Sequence, residues 1–143
     1  MNRILVASHG KLASGLKSSI ELLSGLGEKL SVIDAYIDDT DYTDQIDYFI
    51  KQLKHEPGVI LTDIKGGSVN QRVVQRLLGQ ENKNVFVITG VNLPLVMSFV
   101  LNKDPVDRNL VDKIVAESKL EVIDWQIPDN TDKSEESNSD FFN

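Results

Sequence analysis

Ile4-Leu5-Val6-Ala7-Ser8-His9-Gly10 is the stretch on which the reading of this chain turns. Four consecutive apolar residues suit a short strand covered on both faces, as in a parallel sheet. Ser8 and His9 turn polar and Gly10 stops the run, which leaves a histidine at the carboxyl end of the first strand. In open parallel sheets, ligands bind beyond those carboxyl ends, where the strand order reverses.

The pattern continues outward from there. Leu12, Leu16, Ile20 and Leu23 recur at helical spacing, with Gly25 and Gly27 as stop signals. Leu30 to Tyr36 reads as a second strand. Thr40 or Asp41 can cap a helix whose inner positions are Tyr42, Ile46, Phe49, Ile50 and Leu53. After the Pro57-Gly58 turn, Val59 to Thr62 is a third strand ending at Asp63. Gly66-Gly67-Ser68 opens a helix expected to turn Val69, Val73, Val74, Leu77 and Leu78 inward. Val85 to Ile88 is a fourth strand, stopped by Gly90. Asn92 caps a helix with Leu95, Val96, Phe99 and Val100, and Pro94 is acceptable in its first turn. Pro105 starts another helix, with Leu110, Val111, Ile114 and Val115 apolar. Leu120 to Ile127 is expected to be a final strand, closed by Pro128. Its polar residues Glu121, Asp124 and Gln126 suit an edge strand, antiparallel or paired with another subunit.

Strands alternating with helices imply an α/β, doubly wound, mainly parallel sheet with helices on both faces. Residues 1–128 form the expected domain, and 129–143 an acidic tail expected to be disordered. In a flavodoxin-like strand order such as 2-1-3-4, strands 1 and 3 flank the reversal point. That order brings His9 and Asp63 together, with Thr89 to Asn92 on the same rim.

Composition narrows the chemistry. The chain has 143 residues, 41% hydrophobic and 26% charged, as in an ordinary globular domain. Its net charge is −7, of which Asp34 to Asp47 carries −6 and the tail −4, so the remaining body is +3. An acidic chain without a long basic cluster is a poor partner for nucleic acid or anionic lipid. There is no Cys, which excludes disulfides, thiol nucleophiles and Cys-based metal sites. With only His9 and His55, an all-imidazole metal site is excluded as well, and neither a metal nor another cofactor is expected. The Met1–Val6 opening is too short and too soon polar for a leader, and no run approaches the roughly 20 apolar residues that span a bilayer. The expected compartment is the cytoplasm.

Each candidate residue has a plain reading beside its functional one. A lone histidine is usually structural, but His9 has a strand end, a following glycine and an acid on the neighbouring strand. His55 has no such context and falls at the opposite rim. Asp63 can be a turn residue. It can also accept from one imidazole N–H, fix the tautomer and leave the other nitrogen as nucleophile. Gly66, Gly67 and Ser68 at a helix start offer amides, a hydroxyl and a positive helix end to a phosphate, although many helices begin after glycines. The Asp34–Asp47 run lacks the regular ligand spacing of a calcium loop and reads as a solvated loop and helix face.

Three segments together, Ile4 to Gly10, Leu61 to Ser68 and Thr89 to Pro94, resemble the IIA component of the mannose-family (mannose, fructose, sorbose) sugar phosphotransferase system. The resemblance spans residues 1 to about 127. It implies that His9 carries a phosphoryl group, accepted from the phosphocarrier protein HPr and passed to a IIB partner for coupled sugar uptake. It implies that Asp63 hydrogen-bonds the histidine and that Gly66, Gly67 and Ser68 surround the phosphoryl group. It also implies a homodimer that exchanges the last strand, here about Leu120 to Ile127. Only the short tail follows that strand, so the IIB acceptor is expected to be a separate polypeptide. Lys65 and Val69 depart from the family pattern, where an aromatic residue and a proline are common.

Three other readings compete. The phosphotransferase subunit of a dihydroxyacetone kinase resembles the same fold and uses a strand-1 histidine; Gly-Gly-Ser and Gly-Val-Asn-Leu-Pro favour the sugar-transport branch. A histidine phosphatase wants an arginine before the histidine and a second histidine in the pocket, whereas Ser8 precedes His9 and His55 lies elsewhere. A non-catalytic, flavodoxin-like regulatory module is allowed by fold alone.

Overall fold

The first strand, β1 (Ile4–His9), sits inside the sheet, as its apolar run requires. The computed structural model describes residues 2–126. The order along the chain is β1, α1 (Leu12–Ser24), β2 (Leu30–Ala35), α2 (Thr43–Leu53), β3 (Gly58–Thr62), α3 (Ser68–Leu78), β4 (Val85–Thr89), α4 (Leu93–Leu101) and α5 (Arg108–Glu117). All four strands are parallel, in the order β2-β1-β3-β4. This is the doubly wound α/β sheet expected from the pattern.

Alternate residues of each inner strand feed two separate cores, because successive side chains point to opposite faces. Ile4 and Val6 share a core with α1, α4 and α5 through Leu16, Ile20, Val96, Phe99 and Ile114. Leu5 and Ala7 pack with α2 and α3 through Ile46, Phe49, Ile50, Val69 and Val73. All five inner positions read for α2 and all four read for α4 are buried. The Asn92 side chain accepts from the Leu95 amide at 2.9 Å, so the cap on α4 is as expected. The Asp41 carboxylate accepts the Thr43 amide at 2.9 Å as α2 begins.

Three expectations are corrected. On α1 the buried stripe is Ala13, Leu16 and Ile20, while Leu12 and Leu23 are exposed, because the stripe covered by the sheet begins at Ala13, one position on from Leu12. On α3, Val69 and Val73 are buried but Val74 and Leu78 face outward, since a single sheet face covers only one narrow stripe. The last helix starts at Arg108, where Asp107 caps the Leu110 amide, rather than at Pro105.

The expected final strand, read as an edge strand antiparallel or paired with another subunit, is not formed by the described residues of one chain. Residues 120–126 form no strand, and Leu120, Val122, Ile123 and Trp125 are exposed. An edge strand exists only with a neighbour to complete its ladder, and these residues find none within one chain. Ile127 and the 129–143 tail lie outside the described residues. Among the described residues the sheet therefore ends at β4, beside which Val85 to Thr89, Val111 and Val115 line a groove.

Candidate functional site

β1 and β3 pair up to Ala7 and Thr62, then part. At that point a carboxylate replaces the next carbonyl of the ladder. The His9 backbone N–H donates to Asp63 Oδ2 at 2.8 Å. On the other side of β1 the ladder runs on, with Gly10 N–H donating to the Ala35 carbonyl at 2.8 Å. The main chain at His9 is thus held from both neighbouring strands.

The ring is held as well. His9 Nδ1 lies 2.8 Å from the same Asp63 Oδ2. Asp63 Oδ1 accepts the Ile64 amide at 3.1 Å, so the carboxylate receives three N–H groups. Its side chain is 7% exposed and that of His9 40%. Burial pushes the Asp63 carboxyl up, but the backbone and ring hydrogen bonds from His9 together outweigh it, and the group sits below its ordinary value. An ionised Asp63 only accepts, so Nδ1 carries the proton and Nε2 the lone pair.

Nε2 faces Ser68 Oγ at 3.1 Å. Ser68 is the first residue of α3, and its place depends on the turn before it. Gly66 takes φ +74°, a left-handed conformation that suits glycine, and its carbonyl accepts from the Gln71 side chain. Gly67 has ordinary extended angles, yet a Cβ there would stand 3.3 Å from His9 Cε1. Thr62 Oγ1 donates to Asn70 Oδ1 at 2.8 Å and ties the end of β3 to the first turn of α3. The first i→i−4 bond is made by Gln71 to Gly67, so the amides of Ser68, Val69 and Asn70 have no acceptor within the helix.

His9, Asp63, Gly67 and Ser68 therefore converge. Gly66 shapes the turn, and a side chain there would point into open space. Lys65 is exposed, and Val69 is wholly buried in the core beneath the site. His55 is exposed, before β3 at the opposite rim. The Thr89–Asn92 segment reaches the functional rim, with Val91 N–H on the Thr62 carbonyl, but serves packing: Asn92 also donates to the Ser118 carbonyl at 2.7 Å.

Two features escaped the sequence reading. Tyr36, directly after β2, stacks on His9 with ring centroids 5.4 Å apart and planes 28° apart. Its hydroxyl donates to Ser68 Oγ at 2.9 Å. The available signal was position: Tyr36 follows Ala35, the partner of His9 in the sheet. The acidic run is also less uniformly solvated than expected. Asp34 accepts the Ser14 amide near the start of α1, and Asp47 forms a two-point pair with Arg76 at 2.8 and 2.7 Å.

An imidazole oriented at one nitrogen by a carboxylate, with the other nitrogen at a hydroxyl and a helix start, is arranged for nucleophilic attack on an anionic centre. The sequence model of the PTS system fructose IIA component matches residues 3–122. No curated protein sequence gives a significant match. Among solved structures, phosphotransferase system component EIIA from Streptococcus agalactiae is 25% identical with a TM-score of 0.72, covering 88% of this chain and 98% of that one. The PTS IIA protein associated with the fucose utilization operon of Streptococcus pneumoniae is 28% identical with a TM-score of 0.67, covering 89% and 97%. The mannose/sorbose specific IIA subunit from Enterococcus faecalis is 17% identical, covers 90% and 97%, and has a TM-score of 0.75, a likeness of fold alone.

Proposed function

The chain belongs to the mannose-type family of PTS fructose IIA components, and from that premise we propose that it is a phosphoryl carrier working through His9. It accepts phosphate from HPr and passes it to a IIB component, which commits the phosphate to sugar uptake. The observation that carries this reading is the His9 ring pinned between Asp63 at Nδ1 and Ser68 at Nε2.

The transfer follows from that geometry. The Nε2 lone pair of neutral His9 attacks the phosphorus of the donor phosphohistidine. The donor's N–P bond breaks and its electron pair returns to the donor ring. Phosphorylated His9 keeps its Nδ1 proton and becomes cationic, and the Asp63 carboxylate lies against that cation. Ser68 Oγ–H turns from Nε2 to a phosphoryl oxygen, joined by the free amides at the start of α3. Donor and acceptor are both imidazoles, so the step runs in either direction. Positioning and electrostatics supply the catalysis.

The carrier works in the cytoplasm; among the described residues no helix is long and apolar enough to cross a membrane. It acts as a homodimer, in which the Leu120–Ile127 segment of each subunit pairs with the other. The exposed apolar residues of 120–126 and the uncovered edge of β4 support this arrangement.

The test is incubation of the full chain with phosphoenolpyruvate, enzyme I and HPr, with acid-labile phosphate mapped by mass spectrometry. Label is expected on His9 and absent from a folded His9→Ala protein. Label on His55, or none on the wild type, would overturn the proposal.

A further inference from the structure

Tyr36 holds an unusual backbone angle for a tyrosine, φ +67°. A side chain with a Cβ is held in that region only when its surroundings stabilise it. Here the surroundings are the reacting histidine and its hydroxyl partner. The ring covers one face of His9, and the phenol donates to Ser68 Oγ at 2.9 Å.

The direction of the chain behind Ser68 is forced by counting protons. Nδ1–H is committed to Asp63, so Ser68 must donate to Nε2. Each hydroxyl has one proton. Ser68 oxygen then accepts from Tyr36, and the Tyr36 oxygen accepts from Tyr42, 3.2 Å away. Tyr42 is 5% exposed, lies edge-on to Tyr36 at 5.6 Å, and has the Arg72 guanidinium 5.6 Å above its ring. Burial foremost pushes the Tyr42 phenol up to about 12, so it remains a donor at neutral pH. Four groups therefore align, Tyr42 to Tyr36 to Ser68 to Nε2, each polarising the next.

We propose that Tyr36 is a positioning residue of the transfer site, aiming the Ser68 proton and roofing the His9 ring. The inference rests on the carrier reading above. Before transfer, the hydrogen bond from Tyr36 holds Ser68 Oγ beside Nε2 with its proton toward the reacting edge of the ring. As the N–P bond forms, the Ser68 O–H keeps its proton and redirects its hydrogen bond from Nε2 to an adjoining phosphoryl oxygen, while Tyr36 goes on donating to Ser68. No proton enters or leaves. The tyrosine ring, set against one face of the imidazole, also keeps water from approaching the N–P bond on that side.

The experiment compares wild type, His9→Ala, Tyr36→Phe and Tyr36→Gly as full chains, each checked for folding by circular dichroism. Tyr36→Phe keeps the roof and removes the hydroxyl. Its transfer rate from phosphorylated HPr should fall about twofold to twelvefold, the worth of one hydrogen bond, with half-saturation by HPr unchanged. Its His9 Nε2 resonance in 15N NMR should move toward that of an acceptor nitrogen without a partner. Tyr36→Gly accommodates the positive φ and removes the roof, so its phosphohistidine should also hydrolyse several-fold faster than that of wild type. Wild-type transfer and an unmoved Nε2 resonance in Tyr36→Phe would overturn the role of the hydroxyl. A wild-type phosphohistidine lifetime in Tyr36→Gly would overturn the role of the ring. If wild type itself takes no phosphate, the carrier reading fails instead, and the proposal falls with its premise.

Discussion

Alanine at Gly66 and alanine at the adjacent Gly67 should damage this protein in opposite ways. Gly66 has φ +74° and open space around its Cβ direction. Alanine there meets no neighbour but must adopt a left-handed backbone, at about 1–2 kcal/mol. For a domain of this size that lowers Tm by roughly 3–8 °C. Gly67 has φ −68° and ψ 165°, angles any residue adopts. Alanine there loses less entropy on folding, worth about 0.4–1 kcal/mol, which offsets much of the cost of its contacts. Those contacts are His9 Cε1 and the Ile64 carbonyl, each 3.3 Å from the new Cβ. The carbonyl is backbone and does not give way, so the imidazole shifts by a few tenths of an ångström. That movement works against Asp63 at Nδ1 and Ser68 at Nε2. If a misplacement of about 1 Å costs roughly 100-fold, this one costs about fourfold to tenfold in transfer rate. Thermal denaturation and single-turnover phosphorylation by HPr of both variants decide the matter. Gly66→Ala should lose Tm, and Gly67→Ala should lose rate at nearly wild-type Tm. A Gly67→Ala protein that transfers at the wild-type rate, or that melts lower than Gly66→Ala, would refute the reasoning.

Asp63→Asn removes the charge facing phosphorylated His9 and should slow transfer by about 2 kcal/mol, roughly 30-fold, in the same assay. Because the folded-state pKa of Asp63 is depressed, its contribution to stability is present above the ordinary aspartate value near 3.9 and is lost as pH falls through the lower folded value. Urea melts of wild type and Asp63→Asn should therefore differ at pH 7 and converge in strong acid; a gap that widens on acidification would contradict this. Asn92→Ala loses both the cap on Leu95 and the tie to Ser118, and should cost about 1–2 kcal/mol of stability while leaving transfer near wild type. An unchanged melt would show that α4 does not depend on that cap.

How much was legible depended on how local the cause was. β1 and its terminal histidine could be read from seven consecutive residues, because an apolar run and a breaking glycine suffice. The nearness of Asp63 followed once a parallel sheet with strand 1 beside strand 3 was inferred, since strand ends then share a rim. The inner face of α1 was misjudged because periodicity defines a stripe only to within one position. Docking against the sheet chose Ala13 over Leu12. The Leu120–Ile127 strand had a suitable pattern, but a ladder needs a second strand, and residues 120–126 have none in one chain. Gly67 read as part of a phosphate cradle from its place at a helix start, and only the packed structure shows that a side chain there would stand 3.3 Å from the His9 ring.

Strand and helix order, the two-faced core, and the pairing of an imidazole with a carboxylate were determined by the sequence itself. Apolar period and glycine punctuation are properties of neighbouring residues, and parallel topology then aligns the strand ends. The hydroxyl that meets Nε2, and the tyrosine that aims it, were decided only by tertiary structure. Ser68 comes from the start of α3 and Tyr36 from a left-handed turn after β2, and they meet His9 only when three elements are packed. Hydrogen bonds form or fail over a few tenths of an ångström, a scale that the packed structure sets and residue pattern does not.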